Sequence, residues 1–193
     1  MPVVLLRKTH AEKSKYLKDL FSKTYIADVL ERRKIANDKE VLEELLNIVS
    51  SSIGSLINPT KLANTFGSIK KIKISSATIG SYLDYFVDAF IICKSLRYDI
   101  KGKKYIDTPL KYYFTDVGLR NARLNFRQQE ENHIMENIIY NELCARDFDV
   151  DVGVVQYNHK NQAGKSRRTQ LEVDFIANRE TKRYYIQSAL SVS

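Results

Sequence analysis

The segment Glu172-Val173-Asp174-Phe175-Ile176 sets two carboxylates into an apolar run, and Tyr184-Tyr185-Ile186-Gln187 follows closely behind it. A charge inside an apolar strand is costly unless something uses it. Strand alternation predicts Glu172 and Asp174 on one face, with Val173 and Phe175 on the other. Two carboxylates on one face can hold a divalent cation such as Mg2+ and support metal-assisted hydrolysis. The next strand should then supply a further acid and a lysine. It supplies Tyr185, which has no carboxylate, and Gln187, which brings no positive charge to a developing anion. The set is incomplete for cleavage.

A plainer use of the charge exists. Glu172 and Asp174 can pair with Arg167, Arg168 or Lys182, and an acid at Glu136 is at home on a helix surface. Gly164-Lys165-Ser166 has the ending of a phosphate-binding loop, but His159 stands where the upstream glycine is needed and the following residues lead into a strand. It is read as a basic loop, part of the longer loop 158–170.

Elements must position these residues within 193 amino acids, 44% of them hydrophobic, enough for one large or two small cores. The apolar patch at Val3–Leu6 precedes its charges, the reverse of a secretory signal, and no apolar run has the length of a membrane span. Cys93 and Cys144 lie far apart in apolar segments and read as reduced core thiols. His10, His133 and His159 are scattered without zinc spacing, so a cytoplasmic protein is expected.

Residues 11–33 have a helical period, with Tyr16, Leu20, Ile26 and Leu30 on one side. Asn37 and Glu40 predict the cap of a second helix that runs through Leu56 and Ile57 to a stop at Asn58-Pro59. A short helix over 60–66 closes at Gly67, and Ser75 or Ser76 caps a third, whose inward stripe is Ile79, Leu83, Phe86 and Phe90. Two strands, 91–98 and 110–114, flank a turn at Lys101-Gly102-Lys103-Lys104. Residues 120–130 read as a linker, 131–146 as a helix, and 150–156, 171–177 and 184–190 as strands.

Helices followed by a basic-tipped hairpin are the order of a winged helix. The stretch from Lys61 to Tyr112 holds ten basic against four acidic residues, +6 of the chain's +8, and concentrated positive charge attracts DNA. Lys101, Lys103 and Lys104 at the tip would meet phosphates, and Ser76, Thr78 and Ser81 would begin a recognition helix. That helix carries no arginine for guanine readout. Protein packing is the other use of such a module.

The helix bearing Glu136 and the three strands after it resemble the restriction-endonuclease-like core called PD-(D/E)xK. The resemblance implies Glu136 as the helix acid and Asp174 as the central metal ligand, with Glu172 as a substitute ligand and Gln187 in the place of the catalytic lysine. Across nearly the whole chain, Tyr16–Phe21, Tyr25–Val29, Leu110-Lys111-Tyr112-Tyr113-Phe114-Thr115-Asp116-Val117-Gly118-Leu119, Met135-Glu136-Asn137 and Glu172–Phe175 are similar to the region that follows the ATPase module in prokaryotic AAA-type ATPases. The implied fold class is α+β: an N-terminal helical and winged-helix module, then a partial restriction-endonuclease-like α/β core. The implied division is a helical segment at 1–57, a winged helix at 58–122 and a nuclease-like core at 131–193, truncated at its C-terminal end. In similar proteins the ATP-binding loop lies upstream, in cis. None occurs here, so ATP binding does not carry over and a fragment of a longer ATPase, or a descendant without its motor, is expected. The expected function is a DNA-binding, regulatory region with a degenerate nuclease site. A metal-dependent DNA nuclease and a module docking an ATPase or another protein are the alternatives.

Overall fold

The first third of the chain is helical because its apolar residues recur at helical spacing, with side-chain caps at Thr9 and Asn58. α1 (Pro2–Leu5) leads to α2 (His10–Leu20). The Thr9 hydroxyl accepts from the Glu12 N–H while the Glu12 carboxylate accepts from the Thr9 N–H, so two orphan donors are satisfied reciprocally. A π-helical stretch, Phe21–Ile26, then runs into α3 (Ala27–Arg32). The wider turn shifts the buried seam to Leu17, Phe21, Ile26 and Val29, leaving Tyr16, Leu20 and Leu30 half-buried. The computed structural model describes residues 2–35, 39–127, 130–160 and 166–191. The expected Asn37 cap and the Gly164-Lys165 turn lie outside them, as do the side chains of Arg167 and Arg168.

α4 (Lys39–Ser51) buries Val41, Leu42, Leu45, Leu46 and Val49. It stops earlier than the apolar period implies. Leu56 and Ile57 leave it to form the short strand β1 (Leu56–Ile57), because Gly54 turns the chain at φ +68. Asn58 caps α5 (Pro59–Thr65) through the Thr60 and Lys61 amides. The helix does not close at Gly67. It continues as a π-helical stretch, Phe66–Lys70, to Lys71 in the left-handed region. Ser75 caps α6 (Ser76–Asp88) by accepting from the Thr78 N–H. Ile79, Leu83 and Phe86 face inward as expected, joined by Tyr82, while Phe90 lies past the helix end and is exposed.

β2 (Ile92–Asp99) and β3 (Lys104–Phe114) form the expected hairpin. The supposed linker is partly helical: α7 (Val117–Arg123), capped by Asp116, buries Leu119 and Ala122. α8 (Glu131–Ala145) follows, then β4 (Asp149–Lys160), β5 (Ser166–Arg179) and β6 (Lys182–Ile186). The expected loop between the first two is largely strand, with Tyr157 opposite Thr169 and Lys160 opposite Ser166. The third strand ends at Ile186 rather than Leu190.

All six strands lie in one sheet, ordered β1-β3-β2-β4-β5-β6. Its neighbours are antiparallel except β2 and β4, which run parallel with Arg97 beside Val152. The protein is thus mixed α+β. Alternation along β2 and β3 sends Ile92, Tyr112 and Phe114 to one side, into the large core with the helices of the first half. Cys93 and Tyr113 go to the other side, beneath α8, into a smaller cluster with Tyr140 and Phe175. Both cysteines are free. Cys93 is half-buried there, but Cys144 is exposed instead of lying in a core.

α8 is fastened to the sheet by Asn137. This fully buried amide accepts from the Phe114 N–H at 2.6 Å and donates to the Phe114 carbonyl at 2.7 Å, so the side chain acts as one more strand partner. Asn141 donates to the same carbonyl at 3.0 Å. Asn137→Ala would leave the Phe114 N–H without its partner, and stability should fall by about 2 kcal/mol or more in urea denaturation. Asn141→Ala, which leaves both Asn137 bonds in place, should cost less.

Candidate functional site

Three elements bring charge under α8. Glu136 is buried on α8 one turn from Tyr140. Tyr113 on β3 stacks on Tyr140 with ring centroids 4.2 Å apart, and its hydroxyl donates to Glu136 Oε1 at 2.6 Å. Lys111, two residues back on the same strand face, donates from Nζ to the same oxygen at 2.9 Å. Its ammonium also meets Glu172 Oε1 at 2.7 Å. One buried lysine therefore ties a helix carboxylate to a strand carboxylate.

The local backbone is shaped to fit. A β-carbon on Gly54 would stand 3.1 Å from Glu136 Oε2 and press on that carboxylate, and the φ of +68 independently favours glycine there. On β5, Val173 pairs with Gly153 and Ile176 with Asp151, so Val152 alone faces both Asp174 and Phe175. This bulge re-aims one side chain. Glu172 and Asp174 do share a face, as alternation predicts. Phe175 joins them, packing 6.1 Å from Tyr113 and 6.5 Å from Tyr140, instead of following Val173 to the far side.

Asp174 is buried, and its Oδ2 accepts from the Ser188 N–H at 2.8 Å and the Ser188 hydroxyl at 2.7 Å. It lines an open cleft of about 570 Å³ together with Glu136, His133, Gln187 and Ser188. The two acids singled out from sequence thus border the same space. Gln187 reaches the rim and is exposed. Tyr185 does not accompany it: Tyr185 sits opposite Ile176 and interacts with Arg183 on the other face of the sheet.

Electrostatics follow from burial. Burial opposes the Lys111 ammonium, but the hydrogen bond to Glu172 and the charge of Glu136 outweigh it and hold its pKa above the ordinary lysine value. Lys111 therefore stays cationic and cannot act as a base at neutral pH. Burial, reinforced by the Glu136 carboxylate, pushes the Tyr113 phenol far up, so it remains a donor. A second buried cation, Arg97 on β2, is depressed by burial, with Glu172 acting against that. Its Nη1 donates to the Pro109 carbonyl at 3.4 Å.

The positive charge expected of the third strand comes instead from Lys111 on β3 and Arg97 on β2, neither of them among the site residues expected from sequence. A lysine inside the apolar run Leu110-Lys111-Tyr112-Tyr113-Phe114 is the same signal that singled out Glu172 and Asp174, and it points to the site equally well.

The carboxylates do not suit an Mg2+ ion. Lys111 already bridges Glu136 and Glu172, and Asp174 is engaged by Ser188. Among the described residues, no group of three or more His, Cys, Asp or Glu side chains is placed to hold a metal.

The expected DNA-contact residues lie elsewhere. Lys101, Lys103 and Lys104 are exposed at the hairpin tip, where Asp99 Oδ1 accepts from the Lys101 and Gly102 amides. A β-carbon on Gly102 would come within 2.5 Å of Asp99 Oδ2, so a larger residue there would push that carboxylate aside. On α6, Ser76 and Ser81 are exposed, but Ser81 donates to the Ala77 carbonyl and Thr78 shares a hydrogen bond with Ser75. The same helix exposes Asp84 and Asp88, paired with Lys94 and Arg33.

Residues 1–130 match the family model described as a domain of unknown function, DUF8612. An uncharacterised protein of Haemophilus influenzae is 31% identical over 180 residues, covering 93% of this chain and 41% of that protein. An uncharacterised protein of Methanocaldococcus jannaschii is 31% identical over 170 residues, covering 88% of this chain and 35% of that protein. The chain thus spans well under half the length of these curated relatives. No solved structure matches it. No helix of the described residues is long and apolar enough to cross a membrane.

Replacing Lys111 by Met should destabilise the fold by about 3–5 kcal/mol, because two carboxylates lose their shared cation. Adding Glu136→Gln and Glu172→Gln should restore much of this in urea denaturation. The Lys111 pKa is higher folded than unfolded. Its contribution should therefore be intact below about pH 10.4 and lost as pH rises through the raised folded value. Melts of the native protein and the Lys111→Met variant, compared from neutral to strongly alkaline pH, should converge.

Proposed function

We propose that this chain, which belongs to the DUF8612 family of unknown function, is a non-catalytic, DNA-binding regulatory region of the kind that follows the motor in prokaryotic AAA-type ATPases. In this reading α5, α6 and the β2–β3 hairpin serve as a winged helix, and α8 with β4–β6 serves as a nuclease-like core that has given up cleavage. The observation that carries it is the Lys111 ammonium between Glu136 and Glu172, at 2.9 and 2.7 Å. A divalent ion would have to displace a buried cation from both acids, so the core acts as a rigid support instead. The relatives extend well beyond the matched region, which leaves room for a motor module in cis.

DNA contact falls to the hairpin tip. Among the described residues its lysines pair with no acid, on a turn fixed by Asp99, whereas the exposed side of α6 carries Asp84 and Asp88 on the same helix as Ser76, Thr78 and Ser81. Phosphate contacts of this kind give affinity without sequence readout and weaken as salt rises.

Fluorescence anisotropy with a labelled duplex tests the binding. Affinity should fall steeply between low and moderate salt, and the Lys101→Ala, Lys103→Ala, Lys104→Ala triple variant should bind more weakly, with its salt slope reduced by about 3. Binding that ignores both salt and these substitutions would overturn the reading. Supercoiled plasmid with magnesium or manganese tests the chemistry. Neither the native protein nor Asp174→Asn should nick it, and cleavage that disappears in Asp174→Asn would make the protein a metal-dependent nuclease instead.

A further inference from the structure

The sheet has one face covered by α8 and another that the large helical core covers at the start of β2, where Asp84 meets Lys94, and at the end of β3. The remainder of that second face carries an aromatic and basic surface that the nuclease-like site does not use. Tyr98 and Tyr105 are cross-strand partners whose rings meet edge to face at 5.3 Å. The Arg183 guanidinium from β6, two residues before Tyr185 on the same strand face, lies 5.3 Å from the Tyr98 ring centroid and donates to Asn178 Oδ1 at 2.7 Å. These side chains come from β2, β3 and β6, so only the assembled sheet makes the surface. Tyr105 is 55% exposed and Tyr185 54%, although both stand in strands, where aromatic residues ordinarily find cover.

A cation borders the rings at Tyr98, where Arg183 lies, and Lys101, Lys103 and Lys104 occupy the hairpin tip, next along the chain from Tyr105. The turn is fixed before any ligand arrives, because Asp99 accepts from two of its amides. The acid that touches the cluster, Asp151, accepts a hydrogen bond from the Tyr105 hydroxyl, and burial raises its pKa. Exposed rings beside backbone-tracking cations suit unpaired bases, whose faces stack on aromatic side chains while their phosphates meet lysine and arginine. A duplex keeps its base faces stacked internally and cannot use the rings.

We infer that this open sheet face, through Tyr98, Tyr105, Tyr185 and Arg183 with the hairpin-tip lysines, binds single-stranded DNA. The inference rests on the nucleic-acid reading of the tip and names the form of DNA that the tip delivers to the sheet. Bases stack on Tyr105 and Tyr185, Arg183 holds the platform together at Tyr98, and the tip lysines track the phosphates.

Anisotropy titrations of a labelled oligothymidylate and of a duplex of equal length test it on the full chain. Tyr105→Ala and Tyr185→Ala should each weaken single-strand binding about five-fold or more while leaving duplex binding unchanged. Tyr105→Phe, which keeps the ring, should bind the single strand as the native protein does, and thermal melts should show all three variants folded. The triple lysine variant should weaken binding to both DNAs. If binding depends on the lysines but not on the tyrosines, the platform is refuted while DNA contact at the tip stands, and the aromatic face falls to a protein partner. If neither DNA binds at low salt, both readings fail together.

Discussion

The ammonium of Lys111 between Glu136 and Glu172 is the interaction on which the rest of the structure depends. It joins β3, α8 and β5, three elements from distant parts of the sequence, with Lys111 and Glu136 almost closed to water and Glu172 half-buried. Each carboxylate alone would be expensive to bury, and so would the lysine. Together, with the Tyr113 hydroxyl completing the shell of Glu136, they satisfy one another. The two halves of the chain are therefore coupled by charge as well as by the parallel pairing of β2 with β4.

That coupling also decides what the cleft can do. Asp174 and Glu136 border it, the placement a hydrolytic metal site would need, yet both already have protein partners. The bulge on β5 serves the same arrangement, because it sends Phe175 into the ring cluster under α8 while Glu172 and Asp174 stay on that face. Apolar packing and acidic side chains thus share one side of a strand whose sequence alternates. The part of the opposite face that the large core leaves uncovered carries Tyr98, Tyr105, Tyr185 and Arg183, so the sheet sets an ionic cluster on one side against an open aromatic surface on the other.

Much of the order of elements was legible. The Ser75 cap, the glycine turn at 101–104, the helical period of α4 and the presence of α8 are local, and local chemistry settles them; the caps at Thr9 and Asn58 are equally local, yet Asn58 is expected only as a helix stop and Thr9 not at all. The failures share a cause. α4 ends early because Gly54 turns the chain and β3 offers Leu56 and Ile57 a strand partner; Phe90 is exposed because the chain turns into β2; and the polar stretch after Arg120 stays helical through Arg123. Arg120 is fully buried and donates to the Ser50 carbonyl of α4, a contact invisible along the chain. In the site, alternation placed Glu172 and Asp174 on one face, but the bulge that moved Phe175 and the strand end that separated Tyr185 from Gln187 depend on neighbouring strands.

By itself the sequence determined which residues carry charge inside apolar runs, that Ser75 or Ser76 would cap a helix, and that the hairpin turn would be basic, since these follow from residue type and spacing within a few positions. Only the tertiary structure decided that the lysine for Glu136 comes from β3, that this cation engages the acids a metal would need, and that tyrosines from three strands share an open face. Such pairings are fixed by sheet order and register, and those emerge from packing the whole chain, where burying one group is tolerable only once its distant partner is in place.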